Sequence, residues 1–179
     1  MKPTQWSLQK TDRAIAQRVR AIASQILKDY ADKDPILIGI LNGAFMFMAD
    51  VVRALSHPTG QTKRYQTPLY PEIDFIKVNS YDHTQSTGTV NFVSGLTTVI
   101  EGRHVIIIED IVDTGLTLKY IKRYLSSYKP ASISVAALLV KNDHDVEYRG
   151  FSVGDDFLFG YGLDVNGEMR SIYELRALL

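Results

Sequence analysis

The 179-residue sequence contains no cysteine, and this absence removes several kinds of chemistry at once. Without thiols the chain can form no disulfide bond, no thiolate nucleophile and no cysteine-based zinc site. Cysteine-free chains fit the reducing cytoplasm, where we expect this protein to be located. Histidine offers no substitute for a zinc motif, because the four histidines lie scattered without metal-ligand spacing: His57, His83, His104 and His144.

Long apolar runs and an excess of one charge are missing too. No apolar run reaches the roughly 18 residues that a membrane-spanning helix needs, and the first residues lack the apolar segment of a signal peptide. We therefore expect no association with a membrane. Twenty basic residues balance twenty acidic ones, whereas proteins that bind nucleic acid usually carry a basic excess. The balance argues against a nucleic-acid partner.

Three widespread sequence motifs are absent as well. The glycine-rich dinucleotide fingerprint and the P-loop of many nucleotide-binding proteins do not occur. The G-x-S-x-G nucleophile elbow does not occur either. These absences argue against a Rossmann dinucleotide site, a P-loop nucleotide site and a serine hydrolase.

The residues that are present predict one α/β domain. An apolar fraction of 45% and a charged fraction of 22% are ordinary for a globular protein, and the length suits a single domain, 1–179. Apolar runs typical of buried strands alternate with segments whose apolar residues recur at helical spacing. This alternation predicts a mostly parallel central sheet flanked by helices. The predicted strands are 36–41, 72–78, 105–108 and 132–140, and the predicted helices are 12–30, 45–55 and 118–128.

The stretch 104–118 carries the strongest functional signal. Four β-branched residues, Val105 to Ile108, predict a strand buried on both faces, and Glu109 and Asp110 follow directly. The turn 113–117 (Asp-Thr-Gly-Leu-Thr) then leads into a helix. Ligands of open α/β sheets bind beyond the carboxyl ends of the strands. The N–H groups and hydroxyls of this turn suit a phosphate, and the carboxylates suit ribose hydroxyls or Mg²⁺, so we expect a sugar phosphate here.

Other positions leave two interpretations open. Asp113, beside the turn, is suited to act as a general acid or base. Asn42-Gly43 is either an ordinary strand-to-helix turn or an anion site, and the polar segment 79–91 is either a solvated hairpin or a mobile lid. Lys141, directly after a strand, is either a solvated strand end or a donor aimed into the site. Phe157 either packs in the core or forms a platform for a ligand.

The motif in the middle of the chain resembles that of a known family. Residues 107–117 (Ile-Ile-Glu-Asp-Ile-Val-Asp-Thr-Gly-Leu-Thr) are similar to the phosphoribosyl pyrophosphate (PRPP) motif of purine phosphoribosyltransferases, in particular of their hypoxanthine-guanine branch. Further segments match the family in its order along the chain. They are the pyrophosphate loop Leu41-Asn42-Gly43, the lid residues Ser80-Tyr81 with 85–88, the base-recognising Lys141, the stacking pair Phe157-Leu158, and the hood segment 160–164 with Arg170.

This resemblance implies an activity and assigns roles. The family transfers the 5-phosphoribosyl group of PRPP to a 6-oxopurine base and releases pyrophosphate, with Mg²⁺ as cofactor. The implied fold is the type I phosphoribosyltransferase fold with a hood from about 141–179, and the implied assembly is a homodimer or homotetramer. The resemblance assigns the 5-phosphate to Asp113, Thr114, Gly115, Leu116 and Thr117, the ribose to Glu109 and Asp110, pyrophosphate to Leu41, Asn42, Gly43 and Arg170, and the base to Lys141, Phe157 and Leu158. Mg²⁺ is expected at Glu109, Asp110 and Asp164, and Asp113 is the expected catalytic proton acceptor.

The chain also departs from the family pattern. Asn42 and Asn79 stand where basic residues are common, and Lys77 is a candidate to supply part of that charge. Lys141 argues against adenine, because a 6-amino group needs an acceptor rather than a donor. The choice among hypoxanthine, guanine and xanthine stays open. An RNA-binding regulator of the same fold is the other alternative, and the balanced charge argues against it.

Overall fold

The computed structural model of the protein describes residues 5–58, 67–80 and 90–179. Of the predicted lid, Tyr81 and 85–88 therefore lie outside the described residues. The helices are α1 (Asp12–Tyr30), α2 (Phe45–Ser56) and α3 (Leu116–Ser126). The strands are β1 (Trp6–Lys10), β2 (Ile36–Leu41), β3 (Glu72–Ser80), β4 (Val90–Ser94), β5 (His104–Val112), β6 (Ser132–Val140), β7 (Tyr148–Ser152), β8 (Leu158–Phe159) and β9 (Leu175–Leu178).

A six-stranded sheet of order β4-β3-β2-β5-β6-β7 forms the centre of the molecule. β2 pairs in parallel with β3 and β5, and β6 pairs in parallel with β5 and β7, whereas β4 runs antiparallel at the edge. The four residues 105–108 of β5 are fully buried, as a strand covered on both faces requires. The predicted α/β fold with a mostly parallel central sheet is confirmed.

Helices cover both faces of this sheet. α1 and α2 share one apolar cluster with Leu37 and Ile106, and α3 shares the other cluster with Ile38 and Ile107. The side chains of successive strand residues thus pack on opposite faces of the sheet. Thr11 caps α1 through its hydroxyl, which accepts a hydrogen bond from a first-turn N–H at 3.2 Å. In the described part of the chain, none of the helices has the length and apolar character needed to span a bilayer.

A three-stranded antiparallel sheet of order β1-β9-β8 forms a smaller layer. We call this sheet, together with the connection 160–174 between β8 and β9, the hood. Its central strand, β9, pairs with β1 on one side and β8 on the other. Leu158, Leu175 and Ala177 of the hood are buried in the same cluster as α1 and α2. The expected hood segment 141–179 is divided, because β7 is the edge strand of the large sheet. The hood gains an amino-terminal strand, β1, in addition to β8 and β9.

Candidate active site

The carboxyl ends of β2, β5 and β6 meet at one edge of the large sheet. β5 runs on through the acidic pair and ends at Val112, beyond the apolar run that predicts it. The backbone N–H of Lys141 donates to the carbonyl of Val112 at 2.9 Å, which keeps the end of β6 beside the end of β5. The residues that follow parallel strands lie at a common edge, so the candidate residues of all three strands converge here.

The turn 113–117 forms the amino-terminal end of α3. Gly115 precedes the helix with a φ of 73°, a left-handed conformation that favours glycine. Thr114 Oγ1 accepts a hydrogen bond from the N–H of Leu116 at 3.4 Å, and both residues are exposed. The first N–H groups of a helix carry partial positive charge. The turn therefore has the features of a phosphate site, as its sequence predicts.

Asp113 and Lys141 form an ion pair beside this turn. Lys141 Nζ lies 3.3 Å from Asp113 Oδ2. Lys141 is only 9% exposed, whereas the side chain of Asp113 is 54% exposed. Burying an ammonium group is costly unless an opposite charge accompanies it, so the Asp113 carboxylate stabilises Lys141 in its place. The pair sets a proton acceptor and a hydrogen-bond donor side by side.

Glu109 and Asp110 form an acidic pair on β5. Glu109 is 7% exposed, and its Oε2 has no hydrogen-bond partner among the described residues. Burial raises the pKa of the Glu109 carboxyl well above its ordinary value, and the neighbouring charge of Asp110 raises it further. Loss of hydration raises the pKa of the half-buried Asp110 as well, although hydrogen bonds and the charge of Arg170 act in the opposite direction. Hydroxyl donors or a cation would stabilise both carboxylates.

The turn after β2 lies against Asp110. The peptide bond between Leu41 and Asn42 is cis, and Asn42 is exposed. A Cβ on Gly43 would lie 1.5 Å from Asp110 Oδ2. A residue with a side chain would displace this carboxylate, so glycine is required for the contact. The expected pyrophosphate loop and the acidic pair are thus in direct contact.

The hood covers the same turn from the other side. Gly162, with a φ of 104°, approaches so closely that a Cβ there would lie 2.1 Å from the carbonyl oxygen of Gly43. Arg170 donates to the carbonyl of Gly162 at 2.7 Å and pairs with Asp164 Oδ1 at 2.7 Å. The other oxygen of Asp164 accepts from the N–H of Gly167 at 2.6 Å. Arg170 and Asp164 therefore lie beside the expected pyrophosphate loop, joined to each other.

The expected base site begins where the hood strand β8 starts. The side chain of Phe157 is 56% exposed, which argues against packing in the core and leaves the ring accessible for stacking. Its carbonyl oxygen accepts from the N–H of Leu178 at 3.0 Å, so its backbone is held by β9. Leu158 is buried within β8. An exposed ring on a fixed backbone has the form that a stacking platform needs.

The structure describes both ends of the segment 79–91. Ser80 ends β3 and pairs in antiparallel register with Val90, the first residue of β4. The described ends of the segment, 79–80 and 90–91, are therefore paired residues of β3 and β4. The expected lid residue Tyr81 lies outside the described residues, so its role stays a prediction.

A sequence model of the phosphoribosyl transferase domain matches residues 7–165 of this chain. The chain belongs to this family. One relative is the hypoxanthine-guanine phosphoribosyltransferase of Dictyostelium discoideum. It is 38% identical to this chain over 169 residues, which span 90% of this chain and 89% of the relative. The hypoxanthine-guanine-xanthine phosphoribosyltransferase of Tritrichomonas foetus is 35% identical over 164 residues, 88% of this chain and 84% of the relative.

Solved phosphoribosyl transferase structures show the same fold. A hypoxanthine phosphoribosyltransferase from Staphylococcus aureus superimposes with a TM-score of 0.83 at 35% identity, covering 97% of this chain and 91% of the other. The enzyme from Trypanosoma cruzi, solved as a ternary complex with substrates, gives a TM-score of 0.83 at 31% identity, with 96% and 94% covered. The family and the fold expected from the central motif are both confirmed.

The acidic residues of this phosphoribosyl transferase fit Mg²⁺ only together with a substrate. Among the described residues no group of three or more acidic or histidine side chains forms a metal cage. Protein sites for Mg²⁺ often use one or two carboxylates and complete the shell with substrate phosphates and water. The unpartnered Oε2 of Glu109 and the adjacent Asp110 carboxylate match that pattern. Asp164 is less available, because Arg170 pairs with it.

Two contacts of this phosphoribosyl transferase were not foreseen from its sequence. His144 Nε2 lies 2.6 Å from the backbone carbonyl of Asp113. The hydroxyl of Tyr161 donates to Asp50 Oδ2 at 2.5 Å, which joins the hood to α2. No local pattern signals either contact, because the partners are 31 and 111 residues apart.

Proposed function

We propose that this protein salvages 6-oxopurines by transferring the 5-phosphoribosyl group of PRPP to hypoxanthine and guanine. The products are the purine nucleotide and pyrophosphate. The observation that carries the proposal is the Asp113–Lys141 ion pair directly beside the turn 113–117. That arrangement supplies contacts for a base and for a sugar phosphate next to one another. The relatives support the assignment, because they are named as hypoxanthine-guanine phosphoribosyltransferases.

The proposed reaction exchanges one bond at the anomeric carbon of the ribose. The bond from that carbon to the pyrophosphate oxygen breaks, and a bond to N9 of the purine forms. Positive charge develops on the ribose ring as pyrophosphate leaves. The purine loses its N7 proton, and the Asp113 carboxylate is the proposed acceptor. Because the Asp113 side chain is about half exposed, it is accessible to a bound base.

Each remaining group binds or orients a substrate. Lys141 donates to the 6-oxo oxygen of the base, and Phe157 stacks on its ring. The N–H groups of 114–117 bind the 5-phosphate at the start of α3. Holding two substrates in a reactive geometry is itself a large catalytic contribution. The carboxylates of Glu109 and Asp110 accept hydrogen bonds from the ribose hydroxyls.

The pyrophosphate side of the site needs positive charge. Leu41, Asn42 and Gly43 are uncharged, and Arg170 is paired with Asp164. We assign a magnesium site to Glu109 and Asp110, with Asp164 as a further candidate, and Mg²⁺ bound there would neutralise the leaving pyrophosphate. Assembly as a homodimer or homotetramer belongs to the same proposal.

A direct assay tests the proposed function. The purified protein is incubated with PRPP, Mg²⁺ and one base at a time: hypoxanthine, guanine, xanthine, adenine or uracil. Nucleotide and pyrophosphate are quantified, and a reaction without base measures simple hydrolysis of PRPP. We expect equal amounts of nucleotide and pyrophosphate with hypoxanthine and guanine, and none with adenine or uracil.

Two other results would change the assignment. If only xanthine gives a product, xanthine replaces hypoxanthine and guanine as the proposed substrate. The assay includes xanthine because the Tritrichomonas foetus relative is named for it as well. No product with any base would refute the transferase assignment. The RNA-binding alternative has no comparable support, because the relatives named above are enzymes.

A further inference from the structure

His144 contacts the phosphate turn, although the family resemblance assigns it no role. Its Nε2 lies 2.6 Å from the backbone carbonyl oxygen of Asp113. A carbonyl oxygen only accepts, so Nε2 carries the proton of this hydrogen bond. The imidazole therefore holds the backbone of the residue at which the turn begins.

The same ring packs on the next-but-one residue of the turn. A Cβ placed on Gly115 would lie 3.1 Å from Cε1 and 3.2 Å from Nδ1 of His144. Gly115 is the left-handed residue that immediately precedes α3. The ring thus restrains the turn at two points, one by a hydrogen bond and one by packing.

The segment that carries His144 is itself held in place. The guanidinium group of Arg149 donates to the carbonyl of His144, and it donates to Asp143 Oδ1 at 3.4 Å. Lys141, three residues before His144, pairs with the carboxylate of Asp113 at 3.3 Å. The short segment 141–144 therefore contacts both the side chain and the backbone of Asp113: Lys141 pairs with the carboxylate, and His144 bonds to the carbonyl.

We propose that His144 is a positioning residue for PRPP, which it serves by fixing the backbone of the turn 113–117. The inference rests on the proposed function, because it concerns the 5-phosphate contacts of that site. Several N–H groups must converge on one phosphate, and a turn without its restraint no longer holds them together. Loss of the His144 hydrogen bond should therefore weaken PRPP binding roughly five- to tenfold.

Paired variants separate the hydrogen bond from other effects of substitution. His144→Gln and His144→Met give side chains of similar length, of which only Gln has an N–H donor. His144→Phe keeps a ring and lacks the donor. His104→Phe is the matched control, because His104 makes a comparable hydrogen bond to Ser132 at 2.7 Å at the opposite end of β5. Titration calorimetry measures binding of PRPP with Mg²⁺, and steady-state kinetics gives KM for PRPP and for hypoxanthine.

The inference predicts a specific pattern. The Met and Phe variants should bind PRPP roughly five- to tenfold more weakly than wild type, with KM for PRPP rising more than KM for hypoxanthine. The Gln variant should recover most of the affinity, and His104→Phe should match wild type. Equal PRPP affinity of the Gln and Met variants would overturn the role of His144 while leaving the proposed function intact. Failure of the wild-type protein to bind PRPP would instead overturn the proposed function, and this inference with it.

Discussion

Asp113 has the exposure and the partner that a catalytic proton acceptor needs. Its carboxylate is about half exposed, and Lys141 lies 3.3 Å away. Asp113→Asn keeps the size of the side chain but removes the proton acceptor. We expect turnover to fall well over tenfold, because general acid–base groups contribute roughly 10²–10⁴-fold, while PRPP still binds. Single-turnover kinetics and PRPP calorimetry measure the two effects, and unchanged turnover would exclude Asp113 from this role.

Lys141 is expected to determine affinity for the base. Its ammonium group is buried at the edge of the site, where it can donate to a 6-oxo oxygen. Lys141→Ala should raise KM for hypoxanthine roughly tenfold or more, because hydrogen bonds to charged groups are strong, and should raise KM for PRPP less. Lys122→Ala, at a partly exposed lysine of α3, is the control. A larger effect on PRPP than on the base would contradict base recognition by Lys141.

Glu109 is expected to destabilise the unliganded protein as the pH rises. Its pKa is raised well above the ordinary value of 4.5 in the folded protein, so above pH 4.5 the folded state holds a proton that the unfolded state has released. Stability therefore falls with pH across that interval. In Glu109→Gln this loss is absent, so the variant should gain stability relative to wild type between pH 5 and pH 8, while PRPP binding weakens.

Urea unfolding at both pH values measures the effect of Glu109. Glu101→Gln, at an exposed turn, is the control and should follow wild type. If the free energy of unfolding depends on pH identically in Glu109→Gln and wild type, burial does not raise the pKa of the Glu109 carboxyl.

Single residues differ in how far their roles follow from the sequence. Lys141 was predicted because it follows directly after a strand, and Asp113 because it lies beside the turn 113–117. Both belong to strand ends of a parallel sheet, which meet at one edge. His144 was not, because its hydrogen bond joins it to a backbone carbonyl 31 residues away. Every residue has a backbone carbonyl, so a contact with the backbone does not restrict the type of the partner residue. Sequence patterns therefore do not reveal such contacts.

At the scale of elements, the strands of the large sheet could be predicted from the sequence more completely than those of the hood. β5 was predicted because four β-branched residues in a row have few alternatives to a buried strand. β1 was missed, because Trp6 and Leu8 are partly exposed and its sequence lacks a long apolar run. It becomes a strand by pairing with β9 at the other end of the chain. Tertiary pairing of this kind overrides weak local preference.

The contact between the hood and the proposed pyrophosphate loop 41–43 leads to a prediction at the scale of elements. Gly162→Ala would place a Cβ 2.1 Å from the carbonyl of Gly43, at a φ of 104°, so one of the two segments must move. We expect a stability loss of about 1–3 kcal/mol and a higher KM for PRPP. Gly154→Ala, where no atom lies within 4 Å of the new Cβ, should change neither quantity. Wild-type kinetics for Gly162→Ala would show that the hood does not position this loop.

At the scale of the whole molecule, the two sheets share one core. Leu158 and Leu175 of the hood lie in the same buried cluster as Leu37 and Ile106 of the large sheet. Tyr161 adds a hydrogen bond from the hood to α2. Burial of one continuous apolar cluster couples the parts that contribute to it. The hood is therefore expected to unfold together with the large sheet, although its strands form a separate sheet.

This coupling predicts a single thermal transition. Calorimetric and van't Hoff enthalpies should agree, and circular dichroism and tryptophan fluorescence from Trp6 in β1 should give coincident midpoints. Leu175→Ala removes a fully buried side chain of the hood and should lower the one midpoint through a loss of about 2–5 kcal/mol. Leu179→Ala, at a largely exposed position, should leave it unchanged. A Leu175→Ala variant that loses its Trp6 signal first, while the helical signal melts at the wild-type midpoint, would show that the hood unfolds independently.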